Sequence, residues 1–117
     1  VKLIEVRTYR LKADSPDLPD GAQRFVAAMR EALPLVRASG MDVVAFGRSD
    51  HEQTSFFLIR AFGSREQLAA QQDAFYGSPA WREGPREQLV ACLDTYLNTL
   101  LWLPEAAVDA LRCNHQL

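Results

Sequence analysis

Strand-type and helix-type hydrophobic spacing alternate along this chain in a fixed order, and that order limits the folds open to it. From Leu3 to Leu11 the period is two: Ile4, Val6 and Thr8 share one side, and Leu3, Glu5, Arg7 and Tyr9 the other. Ala13 to Gly21 carries prolines, aspartates and a serine, and predicts a loop. The period then becomes helical, with Phe25, Met29, Leu33 and Val36 forming one stripe. Asp20 and Gln23 stand at capping-box spacing in front of that stripe, Pro34 predicts a kink or break inside it, and Gly40 suits its end.

Two Val- and Phe-rich runs follow, Asp42 to Arg48 and Ser55 to Phe62, joined by the polar stretch Ser49 to Gln53, and predict a hairpin. Ser64 with Gln67 predicts the start of a second helix, whose inner face carries Leu68 and Phe75. Gly77-Ser78-Pro79 interrupts it, with Ser78 able to cap a new turn that Pro79 opens, and Gly84-Pro85 interrupts it again before Leu89, Val90 and Leu93. A last strand is expected from about Asp94 to Trp102, and Pro104 opens a short helix with Ala107, Val108 and Leu111 on one side.

The order β-α-β-β-α-β is the ferredoxin-like pattern of an α+β domain. Right-handed crossovers then put both helices on one sheet face. The expectation is a single domain over residues 1–103 and a helical tail over 104–117, which suits a chain of 117 residues. Ile4, Val6, Val43, Ala45, Phe57, Ile59, Leu97 and Leu101 are expected under the helices. The open face then holds Leu3, Glu5, Arg7, Tyr9, Val44, Phe46, Phe56, Leu58, Arg60, Phe62, Tyr96, Asn98, Leu100 and Trp102. Such a face is too apolar for water, which predicts a homodimer packed sheet to sheet about a two-fold axis; a tail helix folded over the face is the alternative. Glu5 and Arg60 are placed to pair across neighbouring strands.

Three runs resemble the NIPSNAP family: Ile4-Glu5-Val6-Arg7-Thr8-Tyr9-Arg10-Leu11; Phe56-Phe57-Leu58-Ile59-Arg60-Ala61-Phe62; and Gln72-Asp73-Ala74-Phe75-Tyr76-Gly77-Ser78-Pro79-Ala80-Trp81-Arg82, continuing into Gly84-Pro85-Arg86. The resemblance implies a dimeric α/β barrel related to antibiotic-biosynthesis monooxygenase-type and stress-responsive barrel domains. It also implies a small pocket between sheet and helices, or between two sheets. It implies no particular reaction, because sites and not folds carry chemistry.

Composition narrows the partners. A net charge of -2 offers no broad basic field for nucleic acid or an anionic membrane. The longest apolar stretch, Leu97 to Leu103, contains Asn98 and Thr99 and is too short to span a bilayer. The N-terminus enters a strand within a few residues, without a leader pattern. Cys92 and Cys113 are far apart and expected as free thiols, Cys92 as a core residue, which suggests a cytoplasmic protein. His51 and His115 have no second ligand at metal-binding spacing, and neither a phosphate loop nor a nucleophile elbow occurs, so no metal or cofactor is expected.

The candidate pocket residues are Glu5, Arg7, Tyr9 and Arg60 from the sheet, with Asp73, Tyr76 and Trp81 from the interrupted helix. An arginine there can hold a carboxylate or enolate oxygen, while Tyr76 and Trp81 wall an aromatic ligand. A carboxylate in such a pocket is a general base only if its pKa rises, which adjacent arginines oppose. Three functional readings remain open: a homodimer binding a small organic molecule, a cofactor-independent monooxygenase or isomerase acting on an aromatic or polyketide-like substrate, and a purely structural dimer. In the last, Glu5, Arg7 and Arg60 form an ion-pair network and the aromatics seal the helix break.

Overall fold

The computed structural model describes residues 1–114. Its elements are β1 (Lys2–Leu11), α1 (Gly21–Ala38), β2 (Asp42–Arg48), β3 (Ser55–Phe62), α2 (Arg65–Tyr76), α3 (Pro79–Arg82), α4 (Arg86–Cys92), β4 (Leu93–Leu103) and α5 (Glu105–Asn114). The four strands form one antiparallel sheet in the order β2-β3-β1-β4, the ferredoxin-like arrangement. His115 lies outside the described residues.

Local chemistry sets most element ends. The Ser64 hydroxyl accepts from the backbone N–H of Gln67, and the Gln67 side chain accepts in turn from the Gly63 N–H, so the ends of β3 and α2 are tied together. Ser78 caps α3 at Trp81, with Pro79 in the first turn. Gly40 closes α1 at φ +100°, a conformation that disfavours a side chain. One expectation for α1 fails, and of the kink or break expected at Pro34 the break is excluded. Asp20 makes no side-chain cap; it takes φ 56°, and Asp14 accepts from the Gly21 N–H instead at 3.0 Å. The helix also runs past Pro34 without ending, because Leu33 and Val36 on either side of it are buried.

Except at Val43 and Val44, which lie as expected, the two sheet faces are occupied the other way round from the sequence expectation. Leu3, Tyr9, Val43, Phe46, Phe56, Leu58 and Phe62 pack with Phe25, Ala28, Met29, Ala32 and Val36 of α1 and with Phe75 and Leu89. Ile4, Val44, Ala45, Ile59 and Ala61 lie on the opposite face, where Val108 of α5 joins them and Val6, Phe57, Leu103 and Leu111 flank the cluster. Alternation separates the two sets but carries no label for the side the helices take. The larger, aromatic-rich set fills the deep gap beneath helices, while the smaller set suits the shallow contact with α5. A bulge adds to the difference. Val43 pairs with Arg60 and Ala45 with Ile59, leaving Val44 as the extra residue, so Val43 and Phe46 share a face.

The tail helix therefore covers part of the face away from α1 and α2, fixed by Arg112, which donates to both carboxylate oxygens of Asp42 at 2.8 and 3.0 Å. It leaves β4 uncovered. Leu97 and Leu101 on one face, and Tyr96, Leu100 and Trp102 on the other, are all exposed along this eleven-residue edge strand.

Candidate functional site

The residues that chemistry singles out meet on the helix side of the sheet. Glu5 and Arg60 are directly opposite in the β1–β3 ladder, and Arg7 lies two residues along β1, on the same face. All three are buried. Oε1 of Glu5 accepts from Nε of Arg60 at 2.9 Å and from Nη2 of the same side chain. Oε2 accepts from the Gln72 side chain of α2 at 2.8 Å and stands 3.7 Å from Nη2 of Arg7. Among the described residues no buried side-chain nitrogen or oxygen lacks a hydrogen-bond partner.

Tyr76 links the two arginines. Its hydroxyl oxygen accepts from Nη1 of Arg60 at 2.9 Å and from Nη1 of Arg7 at 3.1 Å. Both acceptor positions are then occupied, and the hydroxyl proton is left to donate elsewhere. Nε of Arg7 donates to Asn98 of β4 at 2.8 Å, and its guanidinium carbon lies 4.7 Å from the Tyr96 ring centroid. Arginine has more N–H donors than these contacts use. Two guanidiniums against one buried carboxylate leave the cluster one positive charge in excess.

Above Arg7 a pocket of about 340 Å³ opens between the sheet and the α2–α3–α4 segment. Arg7, Tyr9 and Tyr96 form its floor, Tyr76 and Trp81 a wall, and Asp73 an exposed rim. Tyr76 and Trp81 meet edge to face at 5.3 Å, and Phe75 holds Trp81 from beneath at 5.6 Å. The helix break produces this geometry. Without the Ser78 cap and the Pro79 start, Trp81 would continue along α2 instead of turning back over Tyr76. Size alone does not mark the site: a cleft of about 530 Å³ below the β1–α1 loop has Lys12, Arg24 and Glu87 on its walls and no comparable buried network.

Burial raises the hydroxyl pKa of Tyr9 to about 12, reinforced by Tyr76 and opposed by Arg7 and Arg60, so the group is a neutral phenol at physiological pH. Burial works to lower the pKa of Arg7, but Tyr76, Tyr9 and Glu5 outweigh it and leave the value raised; the guanidinium stays charged. Burial also pushes up the half-buried Cys92 thiol, which makes it a poor nucleophile.

All seven residues singled out from the sequence are thus neighbours, but not on the open face where four of them were expected. Glu5, Arg7, Tyr9 and Arg60 lie under α2, and this is what brings them against Asp73, Tyr76 and Trp81. Gln72, Tyr96, Asn98 and Leu93 were not singled out. Gln72 reaches Glu5 through the packing of α2 on the sheet, and the other three depend on strand register: Asn98 pairs with Arg7, Tyr96 with Tyr9 and Leu93 with Leu11. Among the described residues there is no cluster of metal-binding side chains, and no helix is long and apolar enough to cross a membrane. His51 is exposed in the β2–β3 loop.

No family model matches the sequence, and no curated protein matches it. Solved structures do match. A NIPSNAP domain protein of Burkholderia xenovorans superposes with a TM-score of 0.73 at 20% identity, covering 87% of this chain and 94% of that one. A NIPSNAP family protein of Agrobacterium tumefaciens gives 0.77 at 13% identity, covering 90% and 95%. A putative antibiotic biosynthesis monooxygenase of Bordetella bronchiseptica gives 0.67 at 17% identity, covering 88% and 97%. The resemblance to NIPSNAP proteins is therefore carried by the fold over most of the chain, and at these identities the likeness is one of fold.

Proposed function

We propose that this protein is a NIPSNAP-like homodimer that binds a small organic anion with a planar, apolar body in the pocket above Arg7. One observation carries this reading: Arg7, a member of a buried cluster with one excess positive charge, lies in the floor of a pocket walled by aromatic rings. Arg7 meets the anionic group with its unused donors, the Tyr76 hydroxyl donates to the same group, and Trp81 and Tyr96 take the ring faces. The walls and the Arg7 anchor are already in place, which limits the ordering cost of binding.

The homodimer rests on β4. An exposed edge strand of this length, with Leu97 and Leu101 on one face, is a surface that natural sheets cover. A second copy related by a two-fold axis covers it with the same residues.

Catalysis is the second reading. It is favoured by the neutral Tyr9 phenol and the free Tyr76 proton, which together suit a developing oxyanion in an isomerisation or monooxygenation of an aromatic substrate. Glu5 is not the base in such a reaction, because both its oxygens are committed to Arg60 and Gln72. Asp73 at the rim is the remaining carboxylate.

Native mass spectrometry of the protein isolated from its own cells tests assembly and ligand together. The expected spectrum is a dimer with a retained small acid. Titration with indole-3-acetate and its neutral amide follows, and binding of the acid at least tenfold tighter is expected. Equal affinity for acid and amide would remove Arg7 as the anchor, and a monomer would remove β4 as an interface.

A further inference from the structure

A second concentration of positive charge lies between α1 and the β2–β3 edge of the sheet. Arg30 and Arg37 stand two turns apart on α1, and Arg48 ends β2; together they border a groove of about 460 Å³. Its floor is apolar, made by Leu33, Phe46 and Phe56. No carboxylate lines the groove, and among the described residues none of the three arginines joins an ion pair. Arg48 is instead held over the Phe56 ring, its guanidinium carbon 5.4 Å from the centroid.

Three like charges around one apolar groove repel each other, and the protein as a whole is slightly acidic, so the cluster is not a by-product of a basic composition. An occupant that relieves this repulsion carries more than one negative charge. Guanidiniums suit phosphate oxygens in particular, through paired N–H donors. The apolar floor asks for more than a bare anion, and the groove volume holds one or two fused rings or a short acyl chain beside the head group.

We propose that the α1–β2 groove is a second ligand site, for small amphipathic phosphate monoesters: a dianionic head among Arg30, Arg37 and Arg48 and an apolar body over Phe46 and Phe56. It is independent of the Arg7 pocket, sharing no lining residue with it.

The test is titration of the full chain with 1-naphthyl phosphate, followed by amide chemical shifts. Expected are saturable shifts at Leu33, Gly47 and Arg48, with Asn98 and Tyr96 unmoved, and affinity falling about tenfold in Arg48→Gln and again in Arg30→Gln. All three arginines are exposed, so these variants are expected to fold as the parent does. Tight binding of 1-naphthol would show that charge is irrelevant and overturn the proposal. Equal affinity for inorganic phosphate would show that the apolar floor is irrelevant and do the same. Shifts confined to Asn98 and Tyr96 would assign the ligand to the other pocket. Binding to phosphatidylserine vesicles without binding to naphthyl phosphate would make the patch a lipid surface and not this site.

Discussion

Glu5→Gln removes one charge and almost no volume, and its consequences follow from the contacts of a single carboxylate. In the native protein Glu5 neutralises Arg60, which is fully buried, and is the nearest counter-charge to Arg7. Gln keeps an oxygen that can accept from Arg60 but leaves two buried guanidiniums without a counter-ion. Breaking a buried pair in this way costs about 3–5 kcal/mol. For 117 residues the entropy of unfolding at the midpoint is on the order of 0.25 kcal/mol per kelvin, so Tm falls by roughly 12–20 °C. Urea unfolding gives the free energy and calorimetry the midpoint. The double variant Glu5→Leu with Arg60→Met removes the fully buried guanidinium as well and leaves only Arg7 without its counter-charge, so it should recover part of the loss. The same Glu5→Gln change raises the excess charge near the pocket from one to two, so the affinity for an organic anion rises while stability falls. A Glu5→Gln loss below about 1 kcal/mol, with anion affinity unchanged, would refute the charge-balance reasoning. A double variant as unstable as the single would place the cost in shape and not in charge.

Arg7→Met keeps an aliphatic stem and removes the guanidinium that lies over Tyr96 and anchors the anion, so the affinity for an aromatic acid should drop at least tenfold in calorimetric titration, with that for the neutral amide changing far less. Tyr9 binds its proton more tightly in the folded state, where its pKa is about 12 against 10.0 for the free side chain. Its contribution is therefore intact below pH 10 and is lost as pH rises toward 12, at roughly 2–3 kcal/mol in total; Tyr9→Phe should flatten that part of the stability–pH curve. At Gly84 an added Cβ would clash with the Ala80 carbonyl oxygen, so Gly84→Ala forces the α3–α4 turn to move and should cost about 1–3 kcal/mol by urea unfolding. Leu97→Arg puts a charge on the exposed face of β4 and should convert a dimer to a monomer in light scattering at micromolar concentration; an unchanged dimer mass would exclude this face.

The elements and their order were legible in the chain alone. Caps at Ser64 and Ser78, the breaks at Gly77 and Gly84, and the β-rich runs of the hairpin are local signals between near neighbours, and local signals survive without tertiary context. The pairing of Glu5 with Arg60 was legible too, because the order of the strands makes β1 and β3 neighbours. What the chain alone left open was the phase of the sheet. A period of two separates Leu3, Glu5, Arg7 and Tyr9 from Ile4, Val6 and Thr8 without saying which set the helices cover. Packing decided that, by giving the bulkier set to α1 and α2 and the smaller one to α5. The bulge at Val44 is equally invisible from a strand read alone, since it exists only relative to β3. The seven candidate residues could be named from the chain alone, but not the place where they meet. Asp73, Tyr76 and Trp81 come over Arg7 only because the sheet turns that face toward α2, and Asn98 and Tyr96 join them only through the register of β4. Distances across a fold are set by tertiary packing, and no spacing along the chain encodes them.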